Sequence, residues 1–330
     1  MKLATVGTST ITEHFIQALK QEGSLTLTTI YSRDPQKAKS LADKYEVPNT
    51  CSDWVRLLSD PAVEVIYIAT PNGTHFNLAK EAVLARKHVI LEKPYVSNLK
   101  EFDALQALAK ANHVYVFDAI IPMHLPNYAI LKDVLPRIGQ LRLVNLAMVQ
   151  RSSRLNALYA GEEPAIFSPR QSGGALMDLG VYPISVLVGL FGEPTHVTYT
   201  CSTYTNGIDL NGAITLTYPT FIANATIAKD STGLNFTVFG GDNGYLHLDK
   251  APSQLMSVTL NQGGVLTELG VHQESLSMVY EIKDFSEVLH GDRPERYAQW
   301  MAVTRKAIAV MDACRHNVGL RFPADEEDKA

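Results

Sequence analysis

Residues 88–94 read His-Val-Ile-Leu-Glu-Lys-Pro, an apolar run that ends on an acid, a base and a proline. Short continuous apolar runs mark parallel strands buried on both faces. In an open α/β sheet, the crevice at the carboxyl ends of such strands is where ligands bind. The stretch therefore predicts a parallel sheet carrying a charged pair, Glu92 and Lys93, at its ligand-binding edge.

The pattern repeats on both sides. Strand-like segments at 2–6, 25–31, 64–69, 88–91 and 114–117 alternate with helical stretches at 11–21, 36–45, 53–58, 75–85 and 99–111, the βαβ succession of a doubly wound Rossmann domain. Asp34-Pro35 reads as an N-cap followed by proline at the first helical position. Thr10 with Glu13, and Asn98 with Glu101, have capping-box spacing. Near 122–126 the pattern changes. A helix to about Leu135 precedes β-rich segments at 142–150, 195–204, 213–218, 221–228, 235–239 and 245–248, and two helices follow at 274–289 and 295–315. Tyr218-Pro219-Thr220 and the glycine-rich 240–244 suit turns of an antiparallel sheet. The expected architecture is α/β: a Rossmann domain over 1–121 and an α+β domain over 122–330 with an open, largely antiparallel sheet. The end, PADEEDKA, reads as a frayed acidic tail.

Composition narrows the function. Of the 330 residues, 46% are apolar and 19% charged, which fits a folded chain, and a net charge of −5 without dense Lys/Arg runs argues against nucleic acid and anionic membrane as partners. Three scattered cysteines without a CxxC pair suggest neither a disulfide framework nor a metal site. No apolar run of about 18 residues and no signal-peptide pattern occur, so the expected location is the cytoplasm. Between Glu193 and Lys229 the one charged side chain is Asp209. Charge depletion marks interface cores, so this sheet is expected to form a homodimer or higher homo-oligomer, unless helices of the same chain cover it.

Val6-Gly7-Thr8-Ser9-Thr10-Ile11-Thr12 sits where a dinucleotide fingerprint G-x-G-x-x-G belongs. Its key positions are Gly7, Ser9 and Thr12, so the first glycine alone is kept. Either the helix N-terminus with the Ser9 hydroxyl holds a phosphate, or the segment is a purely structural turn. At the end of the second strand, where an acid would read the ribose of NAD and an arginine would accommodate the 2′-phosphate of NADP, stand Ser32 and Arg33, with Asp34 committed to its helix. NADP is expected over NAD, the alternative being that Arg33 is a solvated surface charge. Thr70-Pro71-Asn72 forms a turn at another strand end. His75 follows as a cofactor-side group or a packing residue.

The segment 173–183 reads Gly-Gly-Ala-Leu-Met-Asp-Leu-Gly-Val-Tyr-Pro. On a helix beginning near Gly174, Asp178 and Tyr182 are one turn apart on one face. Together with Glu92-Lys93-Pro94 and the N-terminal Rossmann pattern, this segment resembles the glucose-fructose oxidoreductase, inositol dehydrogenase and MocA family, in the tyrosine-bearing branch similar to dimeric dihydrodiol dehydrogenase. The resemblance implies Lys93 and Tyr182 as the catalytic pair, and Asp178 as a substrate-positioning or proton-relay group. It also implies a cofactor site built from Gly7, Thr8, Ser9, Thr10, Ile11, Ser32, Arg33, Thr70, Pro71, Asn72, His75, Glu92 and Lys93, a cis Lys93–Pro94 bond, a subunit interface on the second sheet and no metal.

Reducing a carbonyl requires a proton donor at the oxygen where charge develops. A phenol titrates near pH 10, and an adjacent ammonium favours its ionised form, so the pair suits the task. The plainer alternatives are that Lys93 only pairs with Glu92 and that Tyr182 fills the core. The chain departs from the family at Ser9 and Thr12, and at Met123, where relatives often have an arginine that His124 would replace. Tyr95, His124, Arg151 and Tyr159 are further pocket candidates. The expected function is NADP-dependent hydride transfer to or from a sugar, polyol or related carbonyl compound. The alternatives are a non-catalytic cofactor-binding sensor and redox-neutral glycoside cleavage with tightly held NAD.

Overall fold

The computed structural model describes residues 1–326. In chain order its elements are β1 (Lys2–Val6), α1 (Thr10–Glu22), β2 (Thr26–Tyr31), α2 (Pro35–Tyr45), β3 (Asn49–Cys51), α3 (Trp54–Ser59), β4 (Val65–Ile68), α4 (His75–Leu84), β5 (His88–Glu92), α5 (Leu99–Ala111) and β6 (Val116–Ala119). Next come α6 (Pro126–Val134), β7 (Leu141–Val149), α7 (Leu155–Tyr159), α8 (Val181–Phe191), β8 (His196–Thr203), β9 (Asp209–Thr217) and β10 (Ile222–Ala228). The chain ends with β11 (Phe236–Gly241), β12 (Gly244–Asp249), β13 (Met256–Gln262), β14 (Val265–Glu268), α9 (Met278–Leu289) and α10 (Pro294–Val318). Two compact units result: one holds Met1–Val96, Lys100–Ala119 and Glu274–Met301, the other Ser97–Leu99, Ile120–Gln273 and Ala302–Ala330.

The first unit is a six-stranded parallel sheet in the order β3-β2-β1-β4-β5-β6. Strand order reverses beside β1, which creates the topological switch point between β1 and β4. Residues 65–68 and 89–92 are buried throughout, as strands covered on both faces require. The short polar β3 has no apolar pattern to announce it. Asp34 caps α2, accepting from the N–H groups of Gln36 and Lys37 at 2.9 and 3.3 Å. The expected Thr10–Glu13 capping box is absent: Ser9 is the N-cap of α1 without a side-chain bond, and Glu13 instead accepts from the Tyr45 hydroxyl at 2.8 Å and pairs with Lys44. The chain leaves this unit after Ala119 and re-enters it at Glu274, a return that one boundary between 1–121 and 122–330 leaves out. There α9 packs against α1, and Phe285 stacks on Phe117 at 4.7 Å.

The second unit is built on an eight-stranded sheet in the order β14-β13-β12-β11-β7-β10-β9-β8. Only β7 and β10 pair in parallel; the other neighbours are antiparallel, with the chain turning at Pro219 and at Asp242-Asn243. β13 and β14 were not expected from the sequence, β14 because every residue in it is exposed. The apolar segment 169–191, which includes α8, is largely buried, and α8 packs on β7 and β10. On the sheet, Thr215 donates to Asn224 at 3.0 Å and Asn224 to Asn145 at 3.5 Å. Register places Ile222, Leu143, Gly240 and Tyr245 in one row, its three larger members exposed. Asp209, the one charged side chain between Glu193 and Lys229, is fully buried and does not lie on the sheet surface.

The acidic tail is not simply frayed. Residues Pro323–Asp325 form a 3-10 turn, and Asp325 pairs at 2.6 Å with Arg315, which is itself fully buried, stacked 4.5 Å from the Phe322 ring and bonded to Asp312 at 2.7 Å. A buried guanidinium needs such partners, which a reading of local acidity does not supply. Residues 327–330 lie outside the described residues.

Candidate functional site

In the first unit the expected cofactor residues gather at the carboxyl ends of four parallel strands: Gly7 after β1, Ser32 after β2, Thr70 beyond β4 and Lys93 after β5. Gly7 has φ +117°, and a Cβ there would collide with the Ala69 carbonyl, so β1 and the end of β4 approach as closely as only glycine allows. Thr12 is buried where the fingerprint's third glycine would sit. Ser9 and Thr10 are exposed, Thr8 and Ile11 partly so. With no side chain capping α1, the first-turn N–H groups keep the capacity to bind an anion. These residues fit a dinucleotide phosphate.

Ser32 Oγ accepts the Asp34 N–H at 3.2 Å, and Asp34 is held by its own helix. Arg33 is exposed and makes no hydrogen bond or ion pair among the described residues. The strand end thus presents a cation where a 2′-phosphate would lie, and no uncommitted acid.

Asn72 opens a short 3-10 turn after Thr70-Pro71, and the Thr70 and Thr74 hydroxyls lie 2.7 Å apart. His75 is fully buried. Its Nδ1 is 3.0 Å from the Pro94 carbonyl oxygen and its Nε2 2.9 Å from that of Thr70, and burial pulls its basicity below the usual histidine range. It therefore ties the turns after β4 and β5 together. The Glu92 carboxylate is buried, accepting the Tyr67 hydroxyl at 2.7 Å and the Lys93 N–H at 3.2 Å. The Lys93–Pro94 bond is cis.

One residue here escaped the sequence reading. Glu281 of α9 is fully buried, and neither carboxyl oxygen has a hydrogen-bond partner. Burial first, then the Glu92, Asp118 and Asp284 carboxylates, push it well above the usual carboxylate range. Both causes favour its protonated form. Its phase was the available signal, since 281 falls among the buried apolar positions 278, 282 and 285.

In the second unit Gly173 and Gly174 lead into the Asp178–Tyr182 segment. A Cβ on Gly173 would lie 2.5 Å from the Ile166 carbonyl oxygen, and one on Gly174, at φ +104°, would collide with the Asp209 carboxylate. That carboxylate accepts the Leu176 N–H at 2.7 Å and the Tyr199 hydroxyl at 2.6 Å, while burial pushes it up from the usual range. The expected continuous α-helix from Gly174 is replaced over Leu176–Gly180 by a π-helical turn that runs into α8, a widened geometry common at functional sites. Tyr182 is partly exposed on the first turn of α8. Asp178 is 20% exposed and forms an ion pair with Lys229, a partner 51 residues away that no local pattern indicated.

The further candidates divide. Tyr95 is a core anchor, its hydroxyl donating to the Val116 carbonyl at 3.2 Å and accepting from Gln106 at 2.6 Å. His124 is buried. Arg151 holds Asn156 at 2.8 Å, and Tyr159 is exposed beside Tyr204.

Comparison with known proteins agrees with this layout. Residues 1–119 match the family model described as an oxidoreductase family with NAD-binding Rossmann fold, and residues 136–247 match the GFO/IDH/MocA C-terminal domain. The chain is 31% identical to the uncharacterized oxidoreductase YgjR of Escherichia coli over 98% of both chains, and 30% identical to a scyllo-inositol 2-dehydrogenase (NADP(+)) of Bacillus subtilis over 99% of both. A trans-1,2-dihydrobenzene-1,2-diol dehydrogenase of Mus musculus is 26% identical over 90% of both. Among solved structures, KijD10, a 3-ketoreductase from Actinomadura kijaniata in complex with NADP and TDP-benzene, has the same fold, with a TM-score of 0.86 at 20% identity over 96% of this chain and 97% of that one. The chain belongs to the glucose-fructose oxidoreductase, inositol dehydrogenase and MocA family of NAD(P)-binding oxidoreductases.

Proposed function

We propose that this enzyme transfers hydride between NADP and a secondary alcohol or its ketone in a polyol, sugar or related small molecule, with Lys93 and Tyr182 as the acid–base pair. The observation that carries the reading is the end-to-end match to a scyllo-inositol 2-dehydrogenase (NADP(+)). The exposed Arg33 beside a committed Asp34 supports NADP over NAD.

When bound, the nicotinamide supplies the hydride acceptor or donor. The N-terminus of α1, with Thr8, Ser9, Thr10 and Ile11, holds the pyrophosphate, Ser32 and Arg33 the adenosine ribose with its 2′-phosphate, and the turn 70–72 lies on the nicotinamide side. Tyr182 gives its phenolic proton to the substrate oxygen in reduction and takes it back in oxidation, while the Lys93 ammonium stabilises the phenolate left behind. Glu92 and His75 act one layer back by fixing the turn that carries Lys93.

The same proposal places the enzyme in the cytoplasm as a homo-oligomer joined through the second unit's sheet, since the row Ile222, Leu143 and Tyr245 exposes apolar area among neutral polar side chains. A monomer in sedimentation equilibrium would sink that part.

The enzymatic part is tested by offering inositols, aldoses, cyclic diols and their ketones with NADP or NADPH and following nicotinamide absorbance. Turnover with at least one compound, faster with NADP(H) than NAD(H), is expected. Firm cofactor binding with no absorbance change across the panel would point to a sensor instead.

A further inference from the structure

A cavity of about 580 Å³ opens in the first unit at the amino ends of β5 and β6, the opposite edge of the sheet from the one where the expected cofactor residues gather. Its volume lies within the range of small-molecule sites. Two segments enclose it: the end of α5 with Val114 and Tyr115, and the first two turns of α10 with Tyr297 and Met301. The Tyr115 and Tyr297 rings meet edge to face, 4.8 Å apart.

The polar atoms of these walls are already engaged with one another. The Tyr297 hydroxyl accepts the Val116 N–H at 3.2 Å and donates to Gln106 Oε1 at 3.0 Å. Gln106 Nε2 in turn donates to the Tyr95 hydroxyl at 2.6 Å and lies 3.4 Å from the Met301 sulfur. At the end of α5 the carbonyls of Leu108, Ala109 and Lys110 accept the N–H groups of Asn112, Val114 and His113. What remains for a ligand is carbon, sulfur and ring surface, which suits a flat aromatic group. Two polar side chains on the rim are uncommitted. Lys110 and His113 are exposed, and neither side chain makes a hydrogen bond or ion pair among the described residues. No acidic residue lines the cavity. An ammonium beside aromatic walls, with no carboxylate to neutralise it, selects an anion, because a charge-assisted hydrogen bond is stronger than a neutral one.

We propose that this cavity binds an aromatic carboxylic acid in its ionised form, with the ring against Tyr115, Tyr297 and Met301 and the carboxylate at the Lys110 ammonium. The site is separate from the proposed hydride chemistry and stands whether or not that reading holds. A cationic aromatic ligand would meet Lys110 without an acid to offset it, and a neutral one would forgo the charged contact.

Calorimetric titration in the presence of excess NADP, with indole-3-acetate and its neutral amide indole-3-acetamide as probes, tests the assignment without requiring turnover. The wild-type protein is expected to bind the acid with a dissociation constant at or below about 1 mM, and about tenfold more tightly than the amide, the worth of one exposed charge-assisted contact. Lys110→Met should bring the two probes within about twofold of each other and leave the amide affinity unchanged. Ala298→Phe puts a ring into the cavity from an exposed position of α10, and should weaken both probes at least about tenfold. The thermal midpoint reports whether each variant is folded, and if Ala298→Phe is not, Ala107→Leu on α5 fills the same space. No saturable binding of the acid by the wild type, equal affinity for acid and amide, or unchanged binding of both probes in a folded cavity-filling variant overturns the proposal.

Discussion

The turn after β5 and the turn before α8 hold Lys93 and Asp178 by opposite means. Around Lys93 the supports are neutral or local: a strand end, a cis proline, an imidazole bridging two backbone carbonyls and a tyrosine on Glu92. Around Asp178 they are buried ions drawn from distant strands, Asp209 under the glycine pair and Lys229 against Asp178 itself. Supports of the first kind come with the parallel-sheet geometry. Those of the second depend on individual side chains, because a buried ion that loses its partner has no solvent to replace it.

The largest effects are expected at the two residues proposed as the acid–base pair. Lys93→Met and Tyr182→Phe should each lower kcat by about two to four orders of magnitude while leaving NADPH binding, read by fluorescence titration, almost unchanged. Near-normal turnover in either variant removes that residue from the chemistry. Next come the supports, where the contrast can break. Gly174→Ala forces a Cβ against the Asp209 carboxylate at a positive φ; strain and overpacking together should destabilise by about 2–5 kcal/mol, read by chemical denaturation. A conservative change in the other turn, Tyr67→Phe, removes one hydrogen bond to a charged group, worth about 1.5–3 kcal/mol. If the two losses came out reversed, the claim that the second turn is the more brittle would fail.

The contrast also explains what the sequence disclosed. Strand ends and the Asp34 cap were legible because each is governed by neighbours in the chain, and the cis Lys93–Pro94 bond followed from the family resemblance. The π-helical turn, the burial of Asp209 and the Lys229 partner were not, because periodicity reports which face is apolar and says nothing about which ion lies beneath it. Polar residues at a strand end look alike in sequence whether they point out or in, and the bonds of His75 to the Thr70 and Pro94 carbonyls and of Glu92 to the Tyr67 hydroxyl come only with the fold. Glu281 hid for a related reason, since an acid within an amphipathic helix reads as part of its solvent face.

Glu281 sharpens the comparison, because among the described residues neither oxygen of this buried acid has a hydrogen-bond partner. Its folded-state affinity for a proton is raised, so above about pH 4.3 the unfolded chain has released a proton that the folded chain still binds. Stability is therefore full below that pH and falls as pH rises toward the folded value, by up to about 1.4 kcal/mol per pH unit. Glu281→Gln keeps the shape and removes the titration. The variant should match the wild type near pH 4.5 and exceed it increasingly as pH rises above that, in urea denaturation. Parallel stability profiles for the two proteins would mean that the carboxyl is ionised in the fold and has a partner after all.

The smallest effect belongs to the cofactor edge, where support is neither local geometry nor buried charge but a single solvent-facing side chain. Arg33 is exposed and makes no ion pair among the described residues, so removing it disturbs nothing else in the first unit. One exposed charge-assisted contact to a 2′-phosphate is worth about 1.4 kcal/mol, a factor of about ten in affinity. Arg33→Ala should therefore raise KM for NADPH roughly tenfold, leave KM for NADH unchanged and leave kcat with either cofactor close to wild type. The effect should shrink with added salt, because an exposed contact is screened, whereas the loss at Gly174 should not. A KM for NADH that rises in step with that for NADPH would show that Arg33 supports the turn and does not read the phosphate.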